Sequence, residues 1–403
     1  MIRWFVFLLF VILLEIYAFQ AFKTLIRSKA FFVFYFITSV IALVYIIYQL
    51  YHFDRSVGQT PKTMMTMGLL LLLYVPKLLL TIILFGEDII RFFSGIISLI
   101  SKSNTEGFLP ERRRFVSQIA LGIAAIPFAS FLYGITVGKY NFKVIKQTLF
   151  FPDLPEAFDG TTITHISDVH SGSFDDADKI QYAIDLINDQ NSDMVLFTGD
   201  IVNTHATEMD PWITTFKGIH NPKFGKFSIL GNHDYGEYID WNSQSEKQAN
   251  FEGIKAIHNK IYFKLLLNEH VKIKKDNQEL AIVGVENWGR KFGERGDLNL
   301  ASQGLTKEDF KIVMSHDPSH WDEKIQHDEK HYHLTLSGHT HGFQFGIEIP
   351  GWFKWSPVQY VYKQWDGLYK EGEQQIYVNR GYGYLGYPGR VGMPPEISVF
   401  TLS

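Results

Sequence analysis

Residues 334–341 read Leu-Thr-Leu-Ser-Gly-His-Thr-His, a short apolar run followed at once by a glycine and two histidines. Short apolar runs bounded by turn residues are typical of buried strands. A glycine at the end of such a run lets the backbone turn sharply and approach a ligand closely. We therefore predict a strand over 334–337 whose carboxyl end presents His339 and His341.

The same arrangement occurs at four earlier places, where an apolar run also stops at polar residues. The predicted strands and the residues after them are 162–167 with Asp168-Val169-His170, 194–198 with Gly199-Asp200, 227–230 with Gly231-Asn232-His233-Asp234, and 311–315 with His316. A further strand is predicted over 280–285 and a helix over 178–188. Because ligands in layered α/β folds bind at the carboxyl ends of strands, the five motifs are expected to converge on one site.

These motifs offer oxygen and imidazole donors without sulfur. Such donors suit manganese, iron or zinc, and a carboxylate can bridge two ions. Two ions about 4 Å apart can hold a hydroxide between them and stabilise an in-line displacement at phosphorus. The predicted metal ligands are Asp168, His170, Asp200, Asn232, His316, His339 and His341.

Each motif taken alone has a plainer explanation. Gly199-Asp200 is usually a turn, residues 231–234 can be a turn with a capping aspartate, and paired histidines can be polar loop residues. Five motifs in this order, each after a predicted strand, favour the metal site over these explanations.

Four apolar stretches in the first third approach or exceed the roughly 20 residues needed to cross a hydrocarbon core. They cover about 2–22, 30–51, 64–85 and 115–137. A cleavable signal peptide explains one such run and not four, while buried helices of a soluble protein are the alternative. We predict a transmembrane region over 1–140 and a second domain over 141–403. Residues 89–100 are too short to span and are predicted to lie in the membrane interface.

Two charged residues, Glu15 and Lys77, lie roughly midway along the first and third of these stretches. Each would be costly if it faced lipid alone. Because the two stretches run in the same direction, we predict an ion pair between these side chains inside the bundle. Separate solvation by other helices or by water is the alternative.

The basic residues favour one orientation in the membrane. With the N-terminus outside, the inner loops hold eight lysines and arginines, one of which is Lys102, and the outer segments hold six. This places the C-terminal domain on the non-cytoplasmic side. The run Arg112-Arg113-Arg114 ahead of an apolar stretch also looks like a twin-arginine export signal. A basic cluster at the inner end of a transmembrane helix is the alternative, and it predicts the same side.

Composition excludes several kinds of protein. The formal net charge of −4 gives none of the basic field that nucleic-acid binders carry, so no nucleic acid is expected as a partner. There are no cysteines, which rules out disulfide frameworks and zinc–thiolate sites.

Taken together, the motifs resemble those of the calcineurin-like metallophosphoesterase family, over roughly residues 160–403. The resemblance implies an α/β fold, a four-layer sandwich of two β-sheets flanked by helices, preceded here by an all-α transmembrane bundle of about four helices. It implies two divalent metal ions, with manganese the first choice and iron or zinc the alternatives. The ligands implied for one ion are Asp168, His170, Asp200 and His341, and those for the other are Asp200, Asn232, His316 and His339.

The resemblance also implies two catalytic residues. His233 would contact the phosphate and protonate or stabilise the leaving oxygen, and Asp234 would orient His233. A positioned imidazole backed by a carboxylate is the usual arrangement for such proton transfer.

The segment 379–397 is similar to the closing segment of a bacterial membrane-associated branch of the family, some members of which cleave the pyrophosphate bond of UDP-2,3-diacylglucosamine. Arg380 and Arg390 in this segment are candidate phosphate-binding groups, because guanidinium forks suit phosphoryl oxygens. A salt bridge or loop anchor is the alternative. The chain departs from the branch at Phe343, where a glycine is usual, and at Asn203, where many relatives carry a carboxylate.

The sequence therefore predicts a multi-pass protein of a bacterial inner or plasma membrane that hydrolyses a phosphodiester or pyrophosphate bond. Aromatic residues crowd the region 352–387, which favours a lipid-linked or nucleotide-lipid substrate at the membrane surface, although core packing explains them equally. Two alternatives are a tethered phosphatase of broad specificity for soluble substrates and a non-catalytic sensor or transporter with an esterase-like binding domain. A binding domain would be expected to have lost motif residues, and this sequence retains them all.

Overall fold

The computed structural model describes residues 2–101 and 110–403, so the position of Lys102 lies outside the described residues. The chain divides into two compact units, one of Met1–Phe53 with Met65–Ile135 and one of Asp54–Met64 with Thr136–Ser403. The second unit takes in a loop, Asp54–Met64, that belongs by sequence to the membrane region. The domain boundary after residue 140 stays a prediction.

In the described residues, four helices are long and apolar enough to cross a membrane. They are α1 (Ile2–Leu25), α2 (Lys29–Tyr51), α3 (Pro61–Ser101) and α4 (Pro110–Thr136). The four predicted stretches fall within these helices apart from a few residues at their ends, which confirms the transmembrane bundle.

Helix α3 is longer than predicted, because residues 89–100 continue it and do not form a separate segment. Two acidic residues, Glu87 and Asp88, lie in α3 just before residue 89. Both are paired with Arg113 of α4 at 2.6 Å. Since this arginine satisfies the acidic side chains within the bundle, the helix needs no interruption there.

The predicted pair inside the bundle is confirmed. Lys77 Nζ lies 2.5 Å from Glu15 Oε1 and 3.3 Å from Ser39 Oγ. The hydroxyl of Tyr35 donates to the second oxygen of Glu15 at 2.7 Å. A buried ion pair is tolerated when further hydrogen bonds satisfy its remaining atoms, as they do here.

The second unit consists mainly of strands and of shorter helices. The helices are α5 (Ala177–Asn188), α6 (Ile213–Lys217), α7 (Gln244–Lys260), α8 (Leu298–Ala301) and α9 (Ser319–Glu323). The strands are β1 (Lys143–Leu149), β2 (Thr162–Ile166), β3 (Met194–Phe197), β4 (Lys226–Ser228), β5 (Lys264–Leu265), β6 (Glu269–Lys275), β7 (Gln278–Gly284), β8 (Trp288–Gly289), β9 (Gly293–Glu294), β10 (Phe310–Met314), β11 (Leu334–Ser337), β12 (Ile347–Ile349), β13 (Phe353–Trp355), β14 (Gly367–Glu371), β15 (Gln374–Val378) and β16 (Glu396–Leu402).

Two six-stranded sheets dominate this unit. The first has the order β1-β16-β2-β3-β4-β5 and the second the order β14-β15-β11-β10-β7-β6. Strands β2 to β5 are parallel in the first sheet, and β7, β10, β11 and β15 are parallel in the second. Parallel strands present their carboxyl ends at the same edge, which is where the motifs lie.

The two sheets pack face to face with helices outside. Leu196 of β3 and Ile312 of β10 point into the shared core between the sheets. Their neighbours Phe197 and Val313 point outward, into clusters that contain residues of α5 to α7 and of α8 and α9 respectively. Side chains of a strand alternate between faces, so both faces of each sheet are covered. The predicted four-layer sandwich is confirmed.

Candidate metal centre

The structure brings all seven predicted ligands together. Asp168 and His170 follow β2, Asp200 follows β3 and Asn232 follows β4 of the first sheet, while the remaining histidines follow β10 and β11 of the second. The site is therefore built where the parallel strands of two sheets end side by side. Six of the seven residues are buried, and His339 is partly buried. The buried residues are Asp168, His170, Asp200, Asn232, His316 and His341.

One group of donors consists of Asp168, His170 and His341, whose ligand atoms all lie within 4.8 Å of one another. Nε2 of His170 is 3.0 Å from Nε2 of His341, which is 3.3 Å from Oδ1 of Asp168. Three donors this close and facing one another form a cage of the kind that holds a cation.

A second group consists of Asp200, His316 and His339, again within 4.8 Å. The side-chain oxygen of Asn232 joins it, at 2.7 Å from Nδ1 of His339 and 3.1 Å from Nε2 of His316. Nδ1 of His316 donates to the carbonyl of Thr198 at 2.7 Å. This bond holds a proton on Nδ1, so Nε2 is the ring nitrogen that faces the other donors, as in a metal-ligating histidine.

Asp200 lies between the two groups. Its Oδ2 is 3.2 Å from Nε2 of His316 in the second group and 3.5 Å from Nε2 of His170 in the first. Its Oδ1 accepts the backbone N–H of His233 at 2.8 Å. One oxygen is thus anchored and the other is shared, which is the geometry a bridging carboxylate requires.

The charge balance also fits cations. Although burial opposes ionisation, the neighbouring histidines hold the pKa of Asp168 well below its usual range. Burial likewise works against protonation of His316, but Asp200 outweighs it and raises the pKa of His316 to about 10. Protonated His316 supplies the positive charge that these ionised carboxylates need, and a bound cation would take the place of its Nε2 proton.

Five of the seven ligand residues have a left-handed backbone. The φ angles are 52° for Asp168, 47° for His170, 58° for Asp200, 69° for His339 and 51° for His341. For non-glycine residues this conformation costs on the order of 1–3 kcal/mol each and persists where the surrounding structure imposes it. Such strain gathers at ligand-binding sites, and here it coincides with the converging donors.

Two glycines are required by close approach. A Cβ on Gly231 would lie 2.2 Å from Oδ1 of Asp200, and one on Gly338 would lie 2.2 Å from Oδ2 of Asp168. No side chain fits at these distances, so the glycines that precede Asn232 and His339 admit the carboxylates to the site.

His233 lies beside the donors, with its partners arranged differently from the prediction. Its Nδ1 is 2.8 Å from the backbone carbonyl of Asn203, and burial lowers the pKa of the ring. The carboxylate of Asp234 instead accepts three backbone N–H groups, those of Gly231, Asp200 and Ile201, at 2.8–2.9 Å. Asp234 therefore ties the loops after β3 and β4 together, and the carbonyl of Asn203 orients His233.

Arg380 and Arg390 are buried behind the site, 5% and 1% exposed, and neither lines the cavity described below. Arg380 pairs with Glu348 at 2.8 Å and Asp366 at 2.7 Å. The terminal nitrogen of Arg390 donates to the carbonyls of Gly383 and Arg380 and lies 3.2 Å from Nδ1 of His341. Both guanidinium groups serve as internal anchors, which is the alternative that the sequence left open, and their contact with substrate stays a prediction.

A cavity of about 490 Å³ opens over the donors. Its wall is largely apolar and aromatic, and cationic side chains stand at its rim. The apolar and aromatic residues include Tyr238, Phe292, Phe343, Val361, Tyr362, Leu385 and Tyr387, and the cationic residues are Arg290, Lys291 and Lys363. Asp322 pairs with Lys363 at 3.0 Å and with Arg290 at 3.7 Å, so these two cations are partly neutralised.

Two residues at the site, Tyr362 and Asp317, were not predicted from the sequence. The hydroxyl of Tyr362 lies 2.9 Å from Nε2 of His339 and 3.3 Å from Oδ2 of Asp317, behind a predicted ligand. The sequence offered Tyr362 only as one of many aromatics. Asp317 directly follows His316, and this adjacency is the one signal that could have drawn attention to it.

A third cluster, Asp153 with His331 and His333, also brings donors within 4.8 Å. Nδ1 of His333 accepts the backbone N–H of Lys311 at 3.0 Å, so the ring proton lies on Nε2 and is donated to Asp153 at 2.6 Å. With both ring nitrogens occupied, His333 has no lone pair left for a metal.

The sequence of this chain is similar to known families and proteins. A family model described as the transmembrane domain of probable calcineurin-like phosphoesterases matches residues 2–139, and one described as calcineurin-like phosphoesterase matches residues 161–343. The uncharacterized metallophosphoesterase YkuE of Bacillus subtilis is 32% identical over 64% of this chain and 83% of its own length. The transmembrane protein with metallophosphoesterase domain of Danio rerio is 26% identical over 67% of this chain and 60% of its own length. The uncharacterized metallophosphoesterase YkoQ of Bacillus subtilis is 25% identical over 70% of this chain and 97% of its own length.

Proposed function

The chain belongs to the calcineurin-like metallophosphoesterase family, and on this premise we propose that it hydrolyses a phosphodiester or pyrophosphate bond of a lipid-linked substrate at the membrane surface. The main support for this proposal is that predicted metal ligands with strained backbone conformations lie close together. Five non-glycine residues in left-handed conformation surround two adjoining donor groups. Strain of this kind persists where the surrounding structure fixes a ligand-binding site, which supports a metal centre at these residues.

The seven ligands would hold two divalent cations, with Asp200 shared between them. Manganese suits the mixture of carboxylate, amide and imidazole donors, and iron or zinc would also fit. When bound, the cations supply Lewis-acid activation of water and of the phosphoryl group.

His233 would act on the substrate through Nε2. Its Nδ1 is held by the carbonyl of Asn203, which leaves Nε2 as the ring nitrogen available to the cavity. The ring also stacks on Tyr238, with centroids 4.4 Å apart, so its orientation is fixed from two sides. A positioned imidazole of this kind can contact a phosphoryl oxygen and assist the leaving group.

The cavity supports an amphiphilic substrate. Aromatic and aliphatic side chains form much of its wall, so apolar parts of a substrate can be bound beside the metal donors. The cations at the rim, Arg290, Lys291 and Lys363, are all exposed and would attract the phosphate or pyrophosphate portion. UDP-2,3-diacylglucosamine combines both features and serves as the test compound.

The full-length protein in detergent, stripped of metal and reloaded with manganese, provides the test of this activity. We expect hydrolysis of UDP-diacylglucosamine to exceed that of a bis-aryl phosphodiester, and neither to proceed in the stripped protein. A preference for the soluble ester would favour the tethered broad-specificity phosphatase. Inactivity on both with two metals bound would favour the non-catalytic binding domain.

We also propose that the catalytic unit lies on the non-cytoplasmic side. Four spans place the short connection 26–28 on the opposite side from this unit, and the balance of basic residues puts that connection inside. The chain has no cysteines, so single substitutions can report the side of each region. A membrane-impermeant maleimide added to intact cells should label Tyr182→Cys on α5, a position that is 52% exposed, and leave Arg27→Cys unlabelled. The reverse pattern would put the catalytic unit inside the cell.

A further inference from the structure

The hairpin of β12 and β13, residues 347–355, exposes its apolar face. Its register pairs Ile347 with Trp355 and Ile349 with Phe353, and Trp352 stands at the turn. Ile347, Ile349 and Phe353 are 44–50% exposed and Trp352 is 80% exposed. Two-stranded ribbons on soluble proteins ordinarily turn such side chains inward.

The charged side chains of the same hairpin point the other way. Glu348, paired with Lys354 across the register, binds Arg380 at 2.8 Å. Lys354 pairs with the buried carboxylate of Asp366. Because side chains alternate between faces of a strand, the hairpin uses its charges to attach to the domain and leaves its apolar face outside. This is the reverse of the arrangement that water favours.

Phe343, which lines the cavity, is a further exposed apolar side chain. It is 49% exposed and has a φ of 50°. A bulky residue is a rare occupant of that backbone conformation and pays for it in strain. Retaining an exposed phenylalanine there is understandable if the ring meets an apolar environment.

The chain's connectivity indicates which environment this is. The loop Asp54–Met64 joins two membrane helices, so it must lie at the bilayer surface, and it packs within the catalytic unit. The side chain of Gln59 in this loop accepts the backbone N–H of Gly386 at 2.8 Å. A few residues on, Val391 pairs with Phe345 at the base of the hairpin, and its carbonyl accepts the N–H of Gly346 at 2.9 Å. One continuous segment thus links the surface loop to the hairpin.

We propose that the 347–355 hairpin inserts its apolar face into the lipid surface of the membrane that the chain spans, beside the mouth of the cavity. Tryptophan and aliphatic side chains partition into the interface between headgroups and acyl chains, and the hairpin presents both. A membrane-inserted hairpin next to the cavity would let a lipid-linked phosphate reach the metal centre while its acyl chains stay in the bilayer.

Fluorescence from a single introduced cysteine tests the insertion without any catalysis, so its outcome is separate from that of the proposed activity. Trp352→Cys carries an environment-sensitive fluorophore, and the full chain is reconstituted in vesicles of phosphatidylethanolamine and phosphatidylglycerol. Tyr182→Cys, exposed on α5, is the matched control. We expect blue-shifted emission at 352 and loss of that emission when the vesicles contain lipids spin-labelled on the acyl chain, with neither effect at 182.

Equal, unquenched emission at both positions would overturn the proposal. A shift at 352 that disappears as the protein is diluted into more lipid would also overturn it, because that result assigns the surface to a second copy of the chain. As a second readout, Ile349→Ser with Trp352→Ser should slow hydrolysis of a lipid-linked substrate in vesicles and leave hydrolysis of the soluble bis-aryl ester unchanged. Equal effects on both substrates would argue against insertion.

Discussion

Asp200→Asn is expected to remove both cations together and to abolish hydrolysis. The substitution keeps the volume of the side chain and the acceptor Oδ1, which binds the backbone N–H of His233 at 2.8 Å. It replaces the shared oxygen, 3.2 Å from His316 and 3.5 Å from His170, by an amide nitrogen, which carries two hydrogens and cannot accept a hydrogen bond or bind a cation. Loss of a partner outside the ligand set already costs roughly 10–100-fold in metal affinity. Loss of a ligand that both ions share should lower the metal affinity by a larger factor, at both sites.

Metal content of the purified protein, measured by mass spectrometry after manganese loading, checks this result. Asp322→Asn, which removes a carboxylate at the rim of the same cavity, is the matched control and should retain both ions. If Asp200→Asn held two ions per chain, the bridging assignment would be wrong. Loss of one ion only would mean that Asp200 belongs to a single site.

The fold and the convergence of the seven predicted ligands were predictable because they depend on patterns that are local in sequence. Each ligand follows an apolar run, and a run that stops at a polar residue marks the end of a strand wherever it occurs. The end of β11 at Ser337, just before Gly338, is an example. Parallel strands then bring these ends together whatever the lengths of the connections between them.

The roles of Asp234 and Asn203 were not predictable, because they depend on the direction of backbone groups. The carboxylate of Asp234 meets N–H groups on two loops, and the carbonyl of Asn203 meets His233. A backbone carbonyl leaves no trace in the residue type. This also explains why the absence of a carboxylate at position 203 does not disturb the position of His233.

The burial of Arg380 and Arg390 could not be predicted from the sequence for a related reason. The partners of Arg380 are Asp366 and Glu348, which lie 14 and 32 residues away in the chain and show no common motif. A guanidinium group binds phosphate well, but it binds an internal carboxylate equally well, and the residue type does not show which partner it has. Only the packing of β12 against the end of β15 decides between the two.

His233→Ala is expected to lower turnover by about 10²–10⁴-fold while both ions remain bound, since general acid–base groups contribute within this range. The ring supplies no atom to either donor group, and its backbone N–H, which Asp200 needs, survives the substitution. Steady-state kinetics on the bis-aryl ester, together with metal content, separate the two effects. His220→Ala, an exposed histidine outside the site, should change neither.

The leaving group gives this prediction a sharper form. If His233 assists departure of the leaving oxygen, the loss on substitution should be large for a poor leaving group such as an alkoxide and small for a nitrophenolate, which departs without a proton. If His233 only binds the phosphoryl group, the loss should be the same for both esters. Loss of metal from His233→Ala would contradict either role, because it would make the ring part of the metal centre.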